Sequence, residues 1–365
     1  MVRRVNGPIR LDPDTRNALA EGWGLGSDAQ FAPLGNGLIN RTLLVIDDGR
    51  RRVLQRLNTQ VFRNPALVMR NCHIVTRHLE RERAAGRYAY SVLELVPTLA
   101  GQPAAVLADG TWWRMYDHVP DTRTHDTADR SSLVFESGRG FGAFTAALAG
   151  LDPGSVGEVI PHFHNPAKRF DAFVAALDAD RMGRSRQAAA ECRAALGFHD
   201  VLAHWRSLLD AGLPRRVTHN DCKLNNLLFD AHDRARCVID LDTVMPGSLL
   251  FDFGDMARTM VSPVPEDSTD LAQVGVRREY FAALAHGYIE GCGTLLTPIE
   301  RDNLVFAARL ITGVMGLRFI TDWLDGDRYY RVDHPVHNLE RARNQFALFA
   351  SLAERADSLQ ELLSP

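Results

Sequence analysis

The stretch Val217-Thr218-His219-Asn220-Asp221-Cys222-Lys223-Leu224-Asn225-Asn226-Leu227-Leu228-Phe229-Asp230, followed after a short polar link by Cys237-Val238-Ile239-Asp240-Leu241-Asp242-Thr243-Val244-Met245-Pro246-Gly247, decides how this chain is read. Two apolar runs, 227–229 and 237–239, are bounded by Asp, Asn and Gly and predict a β-hairpin. Its leading flank supplies Asp221, Lys223 and Asn226, and its trailing flank Asp240 and Asp242. A hairpin brings all five to one mouth.

Such a set has a chemical use. Phosphoryl transfer needs a carboxylate to orient and deprotonate a hydroxyl, oxygen ligands for Mg²⁺, and a cation near the migrating group. Asp221 suits the first role, Asn226 with Asp240 the second, and Lys223 the third. Mg²⁺ takes only one or two carboxylates from a protein and keeps water and phosphates for the rest.

The spacing His219-x-Asp221-x-Lys223-x-x-Asn226 is that of the kinase catalytic loop. With Ile239-Asp240-Leu241 it resembles the aminoglycoside phosphotransferase and choline kinase superfamily. The string Asp252-Phe253-Gly254 is a decoy for the metal motif and stands where that superfamily carries a structural Asp. The closest resemblance is to the N-acetylhexosamine 1-kinase family, carried by 219–226, 238–247, 252–255, LQRLN at 54–58, FHNPAKRF at 163–170 and RFITDWLDGD at 318–327. It runs from about Gly35 to Phe346.

The resemblance implies a two-lobe, protein-kinase-like α+β fold, with a small antiparallel-sheet lobe over 1–118 and a mainly helical lobe over 119–365. It implies ATP and Mg²⁺ as cofactors, bound in the cleft between the lobes, and a sugar as acceptor. The expected reaction is phosphorylation of the anomeric hydroxyl of an N-acetylhexosamine. Asp221 is then the base that touches the sugar, Asn226 and Asp240 hold the metal, and Asp242 holds a second one. Lys223 offsets charge on the phosphoryl oxygens, His219 supports the loop, and Asp252 braces it from behind. Other acceptors (another sugar, an amino sugar, an aminoglycoside, homoserine) and a non-catalytic nucleotide-binding regulator stay open at this stage.

The totals set bounds. A chain of 365 residues divides naturally into two lobes, and 45% hydrophobic with 24% charged residues is ordinary for a globular protein. A net charge of −3 gives no basic field for nucleic acid. No uninterrupted apolar run reaches the ~20 residues of a membrane span, and the start MVRRVNGPIR lacks a secretory apolar core. Five scattered cysteines without CxxC spacing point to free thiols in a reducing cytoplasm. A monomer or weak homodimer is expected. Only Lys168 and Lys223 are lysines, against forty arginines (42 − 2), so the lysine inside the catalytic motif is the exception that a compact point charge would explain.

Along the chain, Asp12-Pro13 opens a short helix, and Gly35-Asn36-Gly37-Leu38-Ile39-Asn40 reads as a glycine turn that lets backbone N–H groups approach phosphate. The strand 52–57 is where kinases carry a phosphate-pairing lysine; Arg56 is the candidate here, with Gln55 on the opposite face as the alternative. Asn64-Pro65 caps a helix to about Arg83 that lacks a glutamate at the usual place, where Asn71 and His73 stand instead. Residues 90–106 read as strand, turn, strand. Residues 110–119 form a strand leading to the interlobe hinge, with Tyr116 and His118 as nucleotide-binding candidates. An amphipathic helix is expected at 137–150, and helices at 274–288, 299–323 and 338–362. His162 and His164 lack a third zinc ligand. Arg169, Arg318 and Asp322, the last two four residues apart before Trp323, are the sugar-binding candidates.

Overall fold

The computed structural model describes residues 11–34 and 39–363. Asp12 opens α1 (Pro13–Trp23) by accepting from the Thr15 N–H at 2.8 Å, with Pro13 where no N–H partner is needed. Then β1 (Gln30–Pro33), β2 (Arg41–Asp47) and β3 (Arg50–Arg56) form an antiparallel meander. Asn64 caps α2 (Pro65–Ala84), and β4 (Ala105–Val106) and β5 (Trp112–Asp117) complete a sheet of order β1-β2-β3-β5-β4. Strand alternation sorts its faces. Leu43, Val45, Leu54, Trp113 and Met115 bury against Leu19 and Trp23 of α1. Gln55 and Arg114, paired across β3 and β5, face the other way.

Residues 90–106 differ from expectation. Only Ala105–Val106 is a strand; the run before Pro97 bridges two sheets instead. Ser91 N–H donates to Arg236 O at 2.7 Å, while Val96 N–H donates to Met115 O at 2.8 Å. This segment therefore ties the catalytic hairpin to the five-stranded sheet.

The rest is mainly helical: α3 (Ser131–Ala147), α4 (Pro166–Ala179), α5 (Ala189–Leu196) and α6 (His199–Asp210). Four short strands follow, β6 (Arg216–Thr218), β7 (Leu227–Phe229), β8 (Ala235–Val238) and β9 (Met245–Gly247). Then come α7 (Leu249–Met260), α8 (Arg278–Cys292), α9 (Pro298–Asp302), α10 (Leu304–Leu324) and α11 (His337–Glu354). The helix expected at 137–150 begins at Ser131 and ends at Ala147. It lies backbone to backbone on α8. A Cβ at Gly138 would stand 2.4 Å from Leu284 O, and one at Gly291 2.3 Å from Arg139 O. Glycine is what lets the two helices touch. α10 is long and apolar enough to cross a membrane, but 83% of its apolar window is buried inside the protein, as in a core helix. All five cysteines are free and buried.

Candidate active site

β6 and β9 pair with Thr218 opposite Met245, and β7 pairs with β8 with Leu227 opposite Val238. The entry and exit of the predicted hairpin are thereby adjacent: Ile239 N–H donates to Asn226 O at 3.0 Å. His219 is fully buried, its ring packed edge-on against Phe141 and Phe144. Its Nε2 donates to Ile239 O at 3.0 Å and its Nδ1 accepts the Asp221 N–H at 3.3 Å, a pairing that fixes the tautomer. Asp252, in the first turn of α7, accepts from the backbone N–H of His219 at 3.0 Å and of Asn220 at 2.7 Å. Asn220 is left-handed, with φ 65°, and its amide donates to Thr218 O and Thr243 O, both at 3.0 Å. The loop is held from both sides and from behind.

Asp221 Oδ1 meets Lys223 Nζ at 2.8 Å. Asn226 Nδ2 donates to Asp221 O at 2.8 Å and Oδ2 at 3.1 Å, which leaves the Asn226 oxygen open. Burial pushes the Asp221 carboxyl upward, but Lys223 and His219 outweigh it and hold it below the usual carboxylate range. Asp240, left-handed at φ 58°, accepts no hydrogen bond among the described residues. Burial, then the charges of Asp242 and Asp221, push its carboxyl up to about 7. An open carboxylate crowded by two others, beside an open amide oxygen, fits a hard divalent cation. The described residues contain no cluster of three or more His, Cys, Asp or Glu placed to hold a metal, so the set suits an ion that brings its own water and phosphate ligands.

Asp242 departs from its expected role as a second metal ligand. It is 2% exposed, and both oxygens are engaged: Oδ1 in an ion pair with Arg114, Oδ2 accepting from Asn40 Nδ2 at 2.6 Å. Arg114 is fully buried. It also donates to Gln55 Oε1 from Nε at 3.0 Å and Nη2 at 2.8 Å, and its guanidinium stacks on Tyr116 at 5.1 Å. The candidate Arg56 is opposite Trp113, on the α1 face of the sheet, because strand period places it away from Gln55. It is thus Gln55 that points toward Asp242, and it does so through Arg114. The sequence reading missed Arg114, although an arginine between Trp113 and Met115 in an otherwise apolar strand was the available signal. Asn71 of α2 donates to Val244 O at 2.9 Å, and Cys72 Sγ lies 3.6 Å from Leu241 O, so α2 holds the loop after β8 by its backbone.

Tyr116 packs with Leu93 and Cys237, flanked by Val53, Leu228 and Ile239, in an apolar cluster between the sheet and the hairpin. His118 donates its backbone N–H to Arg51 O at 3.2 Å. The glycine-turn candidates Gly35, Asn36 and Gly37 lie outside the described residues.

On the far side of Asp221, the candidates separate. Asp322 is not available as a sugar clamp: Oδ1 accepts from the N–H of Arg328 and Tyr329 at 2.8 Å, and Oδ2 from Tyr330 N–H and Asn338 Nδ2 at 2.9 Å. It folds the loop after α10. Trp323 is buried with Arg184 over its ring at 4.1 Å, so no open indole face remains for a sugar. Arg318 is 8% exposed and lies over Phe163 at 4.6 Å, while Arg169 Nε donates to Phe163 O at 3.1 Å. His164 joins this wall to the catalytic loop, with Nε2 donating to Asn220 O at 2.8 Å.

A family model described as the phosphotransferase enzyme family matches residues 30–291. Among solved structures, a microcompartment-associated aminopropanol kinase superposes with TM-score 0.59 at 17% identity, covering 96% of this chain and 100% of that one. A choline/ethanolamine kinase family protein from Mesorhizobium loti gives 0.56 at 17% identity, covering 96% and 97%. A spectinomycin phosphotransferase in complex with ADP and spectinomycin gives 0.53 at 11% identity, covering 99% and 98%. These likenesses carry the fold, an antiparallel sheet joined to a helical half, and the match over most of the length carries the family: the chain belongs to the phosphotransferase enzyme family.

Proposed function

We propose that the protein transfers the γ-phosphoryl group of ATP to the anomeric hydroxyl of an N-acetylhexosamine, giving a sugar 1-phosphate and ADP. The observation that carries this reading is the convergence of Asp221 and Asp240 across the hairpin: Ile239 accepts from His219 and donates to Asn226, and the charge of Asp221 is felt by Asp240.

In this reading the 1–118 half covers the nucleotide and the 119–365 half carries the acceptor. Adenine lies against Val53, Leu228 and Ile239 near the turn at 117–119. Asn226 and Asp240 would hold Mg²⁺, which would supply neutralisation of the charge on the phosphates. Asp221, ionised at neutral pH, accepts a hydrogen bond from the C1 hydroxyl and takes its proton as the bond to phosphorus forms. Lys223, 2.8 Å from Asp221, stands where the moving phosphoryl oxygens gain charge. The sugar half of the proposal is supported by FHNPAKRF and RFITDWLDGD, which meet where Arg318 lies over Phe163, beside His164 and its hydrogen bond to Asn220 O of the loop.

The test is an acceptor panel with ADP release as readout and phosphorus NMR of the product. Phosphate on C1 of N-acetylglucosamine or N-acetylgalactosamine is the expected result. Phosphate on C6, or turnover of an amino alcohol with every sugar inert, would overturn it.

A further inference from the structure

The wall beside Asp221 has an imbalance of charge. Its carboxylates are spoken for: Asp221 pairs with Lys223 at 2.8 Å, and Arg258 pairs with both Asp255 at 2.7 Å and Glu266 at 2.5 Å. Two further cations meet at Phe163 without a counter-ion among the described residues. Arg318 touches no carboxylate among the described residues; its guanidinium contacts are Phe163, Tyr329 at 5.6 Å, Tyr330 at 5.4 Å and Met315 Sδ at 3.2 Å. Arg169, half-buried, has one hydrogen bond, to a backbone carbonyl. Burial and the charge of Arg318 push Arg169 down to about 10, so the two lie close enough to repel. The neighbouring imidazole adds no negative charge: His164 donates from Nε2 to Asn220 O, and its Nδ1 is buried with no partner.

Protein interiors pair their charges, since an isolated buried ion costs many kcal/mol. The wall that carries these two cations meets the catalytic loop through His164, whose Nε2 donates to Asn220 O at 2.8 Å, one residue from Asp221. We infer that Arg318 and Arg169 form an anion subsite, and that the physiological acceptor is a sugar carrying a carboxylate as well as the reacting hydroxyl. The inference rests on the sugar-kinase reading above. The planar fork of arginine suits a carboxylate, and the rings of Phe163 and Tyr330 keep the Arg318 fork in one orientation. The same two cations oppose a polycationic aminoglycoside. The acids at 322 and 327 that would attract one are consumed internally, Asp322 by backbone N–H groups and Asp327 by Arg184 at 2.7 Å.

The experiment compares kcat/KM for N-acetylglucosamine and its 3-O-lactyl ether, for glucose and glucuronic acid, and for kanamycin. The carboxylated sugars are expected to exceed their neutral parents by about tenfold or more, the scale of one charge-assisted hydrogen-bonded pair, with kanamycin inert. In Arg318→Met and Arg169→Gln the ratio of carboxylated to neutral substrate should fall to about one, whereas Arg318→Lys should keep part of it. Arg169 is the less buried, so its variant decides the matter if Arg318→Met fails to fold. A neutral parent used as well as or better than its carboxylated form overturns this inference and leaves the sugar-kinase reading standing. A preference that survives both substitutions overturns it also, by placing the carboxylate elsewhere. Failure of every sugar overturns the underlying reading, and this inference with it.

Discussion

Replacing Asp240 by asparagine should abolish turnover yet make the metal-free protein more stable at pH 8. The Asp240 carboxyl sits at about 7 instead of its ordinary 3.8, because burial and the charges of Asp242 and Asp221 oppose its ionisation. At 1.36 kcal/mol per pH unit that displacement is on the order of 4 kcal/mol, and water entering the cleft reduces it to roughly 2–4 kcal/mol. The sign follows from linkage. Above pH 7 the folded protein carries the crowded charge and bears the full cost. As pH falls from 7 towards 4, the folded state takes up a proton that the unfolded state does not, and the cost disappears. The gain from Asp240→Asn is therefore greatest at pH 8 and close to zero at pH 4. The assay is thermal denaturation of wild type and variant in EDTA at several pH values, then with excess Mg²⁺ and ADP. In EDTA at pH 8 the variant should melt a few degrees higher; with Mg²⁺ and ADP only the wild type should gain. A variant less stable than wild type at pH 8, or a gain independent of pH, would refute the account of Asp240 as an open, crowded metal ligand.

Three more outcomes are expected. Asp221→Asn should lower kcat by about 10²–10⁴ while ATP binding, measured by calorimetry, changes little; a near-normal kcat would remove the base assignment. Arg114→Met should cost about 3–5 kcal/mol in urea unfolding, because it strands Asp242 at 2% exposure, and Arg114→Met with Asp242→Asn together should cost less than Arg114→Met alone; strict additivity would contradict the pairing. Asp322→Ala should lose about 2–4 kcal/mol of stability, since three backbone N–H groups lose their acceptor, and an unchanged melting temperature would show that the loop after α10 does not depend on it.

What could be read from the chain was whatever lay in one contiguous stretch. The hairpin, the His219-to-Asn226 loop and the capped helices α1 and α2 are local patterns, and period and capping residues state them directly. Asp252 could be placed because its partners, the N–H groups of His219 and Asn220, belong to the motif itself. Partnerships across long separations were invisible. Arg114 and Asp242 are 128 residues apart, and nothing near either announces the other. Spacing also misled where backbone competes with side chains. Arg318 and Asp322 are one helical turn apart, which suggests a pair, but three N–H groups of the turn after α10 and Asn338 Nδ2 engage both Asp322 oxygens instead. Strand period fixed that Gln55 and Arg56 face opposite ways without saying which face meets the site; that needed the pairing of β3 with β5.

The absence of a glutamate at the usual place on α2 and the burial of Arg114 are one fact seen twice. In protein kinases a lysine on β3 pairs with a glutamate on the following helix, and the helix position controls the site. Here β3 offers Gln55, α2 offers Asn71 and Cys72, and neither is charged. The buried cation has moved one strand over, to β5, and its acid has moved from the helix to Asp242, two residues beyond Asp240. The link from sheet to metal loop is consequently direct. Asn40, just before β2, joins the same carboxylate at 2.6 Å, so the start of β2, β5 and the loop after β8 share one anchor. From α2, Asn71 reaches the backbone of this loop and Cys72 Sγ accepts from Arg114 Nη1 at 3.8 Å, and neither side chain brings a charge that competes for the anchor. Separating the five-stranded sheet from the loop after β8 would break the Arg114–Asp242 pair, and the burial of both partners makes that step costly.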